Sequence, residues 1–274
     1  MKKHCLLGLV LLTLFLGACG ANTTHAPQEA TAQTPPQETT APPKAEMIEC
    51  SAEEGFVTAE SLRTNTPCKV RTTKYLSTAQ GKGFSYDLYI EVDTPRAQLR
   101  KLLVTGVVPE PWDTIYLADV DGDGTDEILI HENTGGCGGF GLWRTWVLKV
   151  EKGQIRTLFE NYNEFDTGFQ SRYLENAQLE VTNRYTGYSL VFDRKEIYNS
   201  YPADTDPNMM IDPFYHFAPE DVDADGVYEI LCKSYTSILS HSDYTGSACS
   251  ILKYDAQTQN FHVVDAWYEP NTNT

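Results

Sequence analysis

What this chain lacks narrows its function before what it contains does. No His-Glu-x-x-His, Gly-x-Ser-x-Gly or phosphate-loop pattern occurs, so the commonest hydrolase and nucleotide signatures find no residues to rest on. No Cys-x-x-Cys pair is present, which removes the usual thiolate set for zinc. Apolar residues at helical spacing over ten or more positions are missing, and only Ala97–Val104 reads as a short helix. Basic residues are scarce: 21 Lys and Arg face 38 Asp and Glu, a formal charge of −17. Such a balance argues against nucleic acid and anionic lipid as partners and suits a cation or a basic surface. His131, His216, His241 and His262 are scattered and read as surface or core polar groups.

The N-terminus has a recognisable layout. Lys2 and Lys3 precede an apolar run, Leu6–Leu16, broken only by Gly8 and Thr13 and too short to span a bilayer well. The segment Leu16-Gly17-Ala18-Cys19 resembles the lipobox of bacterial lipoproteins. That resemblance implies a signal peptide over 1–18, cleavage before Cys19, a diacylglyceryl group on its sulfur, and an extracytoplasmic domain anchored to a membrane of the cell envelope. Without Lys2 and Lys3 the balance falls to −19. Residues 19–46 then read as a tether. After Cys19 it holds no aliphatic side chain larger than Ala and includes Pro27, Pro35, Pro36, Pro42 and Pro43. It cannot bury enough surface to offset chain entropy, and as a flexible chain it spans roughly 30 Å. Residues 47–274 contain no further linker and read as a single domain.

Without Cys5 and Cys19, five of the seven cysteines remain, an odd number for an oxidising compartment. The local pairings expected are Cys50–Cys68 and Cys232–Cys249, with Cys137 left over.

Within the domain, period-two segments dominate. Ser85–Val92, Gln178–Thr182 and Tyr188–Phe192 alternate, while Thr145–Val150 and Ser250–Tyr254 are short apolar runs ending in turn chemistry at 151–154 and 255–258. The fold class is therefore all-β. One block recurs 102 residues on: Asp119-Val-Asp-Gly-Asp-Gly-Thr-Asp-Glu-Ile-Leu-Ile130 matches Asp221-Val-Asp-Ala-Asp-Gly-Val-Tyr-Glu-Ile-Leu-Cys232. Downstream, Trp146–Val150 corresponds to Ser250–Tyr254. Two repeats, about 84–160 and 178–268, predict propeller-like or pseudo-duplicated antiparallel blades.

The repeated block has the chemistry of a calcium loop. Calcium takes six to eight oxygens, and Asp at positions one, three and five sets three short carboxylates around one centre. A glycine at six permits the turn, position seven offers a carbonyl, and position nine a further carboxylate. The first set is Asp119, Asp121, Asp123, the Thr125 carbonyl and Glu127. The second is Asp221, Asp223, Asp225, the Val227 carbonyl and Glu229. Position twelve holds Ile130 or Cys232, so these are not helix-flanked hands; each loop runs into a strand. The pattern Asp-x-Asp-x-Asp-Gly-x-x-Glu-Ile-Leu resembles the FG-GAP/VCBS repeat of integrin-type propellers and bacterial surface proteins. The resemblance implies two calcium ions with a structural task, pinning the turn before a central strand. The family usually has Asp where Glu127 and Glu229 stand.

Three further segments carry residue types that chemistry could use. Asn161-Tyr-Asn-Glu-Phe-Asp166 sets Glu164 and Asp166 among aromatics, as sugar sites do; Trp143 and Trp146 flank Arg144; Cys137 lies in a glycine-rich loop near His131. The default for each is structural. The function expected is a non-catalytic calcium-binding envelope lipoprotein with a protein or glycan partner. The alternatives are an inhibitor of an envelope-degrading hydrolase such as lysozyme, and an envelope-polymer hydrolase.

Overall fold

The computed structural model describes residues 46–48, 56–61, 68–76, 86–107, 114–133, 143–162, 165–194, 209–238 and 244–271. All fall within one compact unit, Ala41–Thr274. The signal peptide, lipidation at Cys19, the tether, Cys50, Cys137, Glu164, His241 and the side chain of Cys68 lie outside the described residues.

The described chain is all-β, with every strand pair antiparallel and one short 3₁₀ turn at Glu175–Ala177. Sheet I is the meander β2 (Phe56–Ser61), β3 (Cys68–Leu76), β4 (Tyr86–Asp93) and β5 (Gln98–Val107). Sheet II joins β1 (Glu46–Ile48) to β6 (Thr114–Ala118), then runs through β7 (Glu127–Asn133), β8 (Trp143–Glu151) and β9 (Gln154–Asn161). Sheet III has β10 (Phe169–Leu174), β11 (Gln178–Asn183) and β12 (Ser189–Asp193). Sheet IV is β13 (Met210–Glu220), β14 (Glu229–Ser237), β15 (Tyr244–Asp255) and β16 (Asn260–Pro270). The turn read at 151–154 is a tight hairpin in which Lys152 (φ 51°) and Gly153 (φ 75°) both take positive φ, the twist that two-residue hairpins favour.

The helix expected at Ala97–Val104 is instead β5. The register skips Leu103 and again Gly106, which has φ 84°. These bulges turn period-two alternation into the spacing Leu99, Leu103, Val104, Val107, which imitates a helical stripe.

Three apolar cores hold the sheets. Val70, Leu88, Ile90 and Val92 of sheet I pack on Ile115, Ile128, Ile130, Trp146 and Leu148 of sheet II. The opposite face of sheet II, with Leu129, Val147 and Phe159, packs on Phe214, Phe217, Ile230, Cys232 and Leu252 of sheet IV. Sheet III closes on Ala266 and Tyr268 of sheet IV through Tyr173, Leu179 and Val181. Sheet II is thus covered on both faces, which is why its strands read as continuous apolar runs. The two repeat-bearing sheets stack in one sense: Ile128 and Ile130 face sheet I, whereas their counterparts Ile230 and Cys232 face sheet II.

Sheet IV also overturns the Cys232–Cys249 disulfide. Both are free, buried thiols. Cys232 lies opposite Ser250 and Cys249 opposite Lys233. A one-residue offset on neighbouring strands points the two sulfurs to opposite faces, where no bridge can form.

Candidate metal centres: two acidic loops, each with a lysine

The repeated blocks join β6 to β7 and β13 to β14. In the first, Asp119 closes the turn by accepting the Gly122 N–H on Oδ1 and the Gly124 N–H on Oδ2, both at 2.8 Å. Asp121 Oδ1 accepts from Asp123 N–H (3.3 Å), and Asp123 Oδ1 from Thr125 N–H (2.9 Å). Glu127 Oε2 reaches back to the N–H groups of Val120 and Asp121 at 3.1 and 3.4 Å. The second loop repeats the pattern: Asp221 accepts from Gly226 N–H (3.3 Å), Asp223 from Asp225 N–H (3.3 Å), Asp225 from Val227 N–H (2.8 Å) and Glu229 from Val222 N–H (3.2 Å). Thus the position-nine glutamate braces its own loop with one oxygen and leaves the other for the interior.

Carboxylate oxygens of Asp119, Asp121 and Glu127 lie within 4.8 Å of one another, as do those of Asp221, Asp223 and Asp225. The sequence named both sets, but it missed a residue in each. Lys149 Nζ pairs with Asp121, with Asp123 at 2.8 Å and with Glu127 Oε1 at 3.3 Å. Lys253 Nζ pairs with Glu229 at 2.5 Å and Asp223 at 3.3 Å. The signal was available, since Lys149 and Lys253 hold the same place in the aligned Val-Leu-Lys and Ile-Leu-Lys segments. Ile128 pairs with Leu148 and Ile230 with Leu252, so each lysine stands across the ladder from the position-nine glutamate.

Electrostatics follow from burial. Glu127 is fully buried; burial and the nearby Asp121 charge push its carboxyl up to about 8. Burial also raises Asp119, against the pull of the Gly124 and Gly122 N–H groups. For Lys149 burial works against the ammonium, but its bonds to Asp121 and Asp123 and the Glu127 charge outweigh that and hold it firmly protonated. Asp123 is held low because Lys149 and the Thr125 N–H outweigh burial. In the second loop the hydrogen bond to Glu229 raises Lys253, and the bond from Lys253 lowers Asp223.

The two loops also touch. Tyr228 N–H donates to the Asp119 carbonyl at 2.8 Å, and a Cβ placed on Gly122 would meet a Val227 methyl at 3.4 Å. Tyr228 itself is buried in the core between sheets II and IV.

The tryptophan pair and His131 resolve into packing. Trp146 is core, Trp143 stacks on His131 at 4.3 Å, and Arg144 lies over Tyr162 at 4.1 Å, so the tryptophan pair forms no shared platform. His131 Nε2 is 2.8 Å from the Phe214 carbonyl, and burial lowers the ring to about 4, leaving a neutral donor inside the fold.

Comparison with known proteins adds little. No family model matches the chain, and no solved structure matches it. It is 25% identical over 160 residues to a Bacillus subtilis (strain 168) protein described as "Uncharacterized protein YybI"; the alignment covers 54% of this chain and 60% of that relative.

Proposed function

We propose that this chain is a non-catalytic binding lipoprotein of the cell envelope whose two acidic loops take calcium. The reading rests on one observation: each loop gathers three aspartates and a glutamate (Asp119, Asp121, Asp123 and Glu127; Asp221, Asp223, Asp225 and Glu229) beside one lysine, Lys149 paired with Asp121, Asp123 and Glu127 and Lys253 with Asp223 and Glu229. One ammonium cannot balance the three aspartates of each loop, and crowded carboxylates repel one another without a further cation. A carboxylate-rich irregular loop suits the higher coordination number of calcium better than the strict octahedron of magnesium. Asp119, Asp121, Asp123 and Glu127 would hold one ion with the Thr125 carbonyl, and Asp221, Asp223, Asp225 and Glu229 the other with the Val227 carbonyl. When bound, calcium supplies charge neutralisation and a fixed turn.

That turn precedes β7 or β14, the strands that carry Leu129 and Ile230 into the core shared by sheets II and IV. Head-to-tail stacking of these two sheets fits blades of a propeller-like array, with the ions tying the blade ends together. Lipidation at Cys19 and the tether would hold the module at the membrane, free to meet an envelope partner.

The test is thermal unfolding with chelator and with calcium, alongside Asp121→Ala/Asp223→Ala. Calcium at about tenfold over its dissociation constant should add about 1.4 kcal/mol per site, a rise of about 3–5 °C for a domain of this size. The double variant should not respond. Equal midpoints with chelator and several millimolar calcium would defeat the proposal.

A further inference from the structure

Beside β16, Phe165 and Asp166 ahead of β10 and the turn between β11 and β12 border a cleft of about 340 Å³, lined by Phe165, Asp166, Tyr185, Phe261, His262 and Val263. Its most exposed aromatic is also its most constrained. Tyr185 is 51% exposed, a state that ordinarily leaves a side chain free to turn. Here its hydroxyl donates to Asp166 Oδ2 at 2.8 Å, while Asp166 Oδ1 accepts the Gly168 N–H at 2.8 Å. Arg184 pairs with Asp166 and lies 5.0 Å from the centre of the Tyr185 ring. The ring rests directly on Gly168, where a Cβ would stand 2.4 Å from Tyr Cδ2 and where φ is +81°. Any other residue at 168 would both strain the backbone and evict the ring.

The apolar part of the lining is equally fixed. Phe165 and Phe261 meet Phe159 edge-to-face at 5.3 and 5.5 Å, and Tyr254 meets Phe261 at 5.2 Å. These contacts continue into the core between sheets II and IV, so the cleft is set before any ligand arrives, and little ordering remains for binding to oppose. Its volume lies at the lower end of small-ligand sites.

We propose that this cleft binds a pyranose ring of a neutral glycan, with Tyr185 as the stacking face. A pyranose presents C–H groups on its face and hydroxyls around its edge. The Tyr185 ring meets the first need. The lone pairs left on the Asp166 carboxylate and the Tyr185 hydroxyl, together with His262, set acceptors and a donor at the rim to meet the second. A neutral glycan fits better than an anionic one, because Arg184 is already paired with Asp166 and the chain carries −17. This deepens the binding role proposed above by naming the partner's chemistry, yet the cleft uses none of the acidic-loop residues.

The experiment is calorimetric titration of the full chain with the tetrasaccharides of β-1,4-linked N-acetylglucosamine and of glucose, with calcium and with chelator. Saturable binding of either is expected. Tyr185→Ala should weaken it at least tenfold with an unchanged melting midpoint, and Tyr185→Trp should retain it. No binding of either sugar at several millimolar, equal binding by Tyr185→Ala, or tighter binding of a tyrosine-bearing peptide at the same residues would overturn the assignment. Sugar binding without any calcium response would refute the calcium reading alone; a calcium response without sugar binding would refute the cleft alone.

Discussion

The two acidic loops share three aspartates, a glycine, a glutamate and a cross-strand lysine, yet the fold treats them differently. In the first, the Lys149 side chain is only 9% exposed, Glu127 is fully buried, and the ammonium reaches three carboxylates. In the second, Lys253 is 36% exposed and reaches two, Asp223 at 53% exposure and Glu229 at 4%. A charge pair near water contributes little because solvent already satisfies both partners. The same pair withdrawn from water becomes strongly interdependent, since removing one partner strands the other. One motif therefore yields a loop whose lysine is withdrawn from water and one whose lysine is half open to it. Position explains this: the first loop belongs to sheet II, which is covered on both faces, and is capped by Tyr228 and Val227 of the second.

The sharpest way to break this contrast is to remove each lysine in turn. Lys149→Met should cost about 3–5 kcal/mol in chelator, because Asp121 and Glu127 would lose their buried counter-charge. Lys253→Met should cost less, about 1–3 kcal/mol, because Asp223 stays in water but the buried Glu229 loses its partner. Urea unfolding measures both. Calcium should restore part of the Lys149→Met loss, since a bound ion neutralises the carboxylates that the ammonium leaves. Equal costs for the two variants would show that burial does not separate the loops.

Much of this was readable beforehand. Period-two runs located β4, β11 and β12 to within about a residue, since side chains alternate across a pleat whatever their tertiary neighbours, and short apolar runs located β8 and the second half of β15. The 102-residue offset located both carboxylate clusters, because the three-aspartate turn closes through its own local hydrogen bonds. Longer-range features were hidden. The bulges at Leu103 and Gly106 scrambled the alternation of β5. The register that separates Cys232 from Cys249 is a property of the β14–β15 pair, invisible to sequence distance. Asp166 stood out among its aromatics, but Tyr185 and Gly168 look unremarkable in sequence and gain meaning only where two turns meet.

Acid response offers a second way to sharpen the comparison. The residue four places after Glu127 is His131, buried and neutral; its counterpart four places after Glu229 is Lys233, half-buried and paired with Glu269 at 3.0 Å. The folded state depresses His131 from 6.5 to about 4. Between those values the unfolded chain binds the proton and the folded chain does not. Stability is therefore full above about pH 6.5 and falls as pH drops towards 4, by up to roughly 3 kcal/mol from this one ring. His131→Gln keeps an N–H donor for the Phe214 carbonyl but does not titrate. Denaturant unfolding at pH 7, 5.5 and 4.5 should show a smaller acid loss in the variant. Parallel profiles would place the acid sensitivity elsewhere.

The smallest expected effect tests a backbone difference between the loops. Position four is Gly122 (φ 76°) in the first and Ala224 (φ 59°) in the second. Both are left-handed, a conformation free for glycine and costly for a residue with a Cβ. Ala224→Gly relieves that strain but also gives the unfolded chain more freedom, which offsets part of the gain. The net expectation is stabilisation of about 0.5–1 kcal/mol. Gly122→Ala imports the strain, and its Cβ would meet Val227 at 3.4 Å, an ordinary contact, so the loss should be of similar size and opposite sign. Reciprocal shifts in the urea midpoint at unchanged slope would show that the loops share one backbone geometry and differ chiefly in burial. If Ala224→Gly destabilises while Gly122→Ala is silent, the second loop has a conformation of its own, and the lysine contrast would need a backbone cause as well as an electrostatic one.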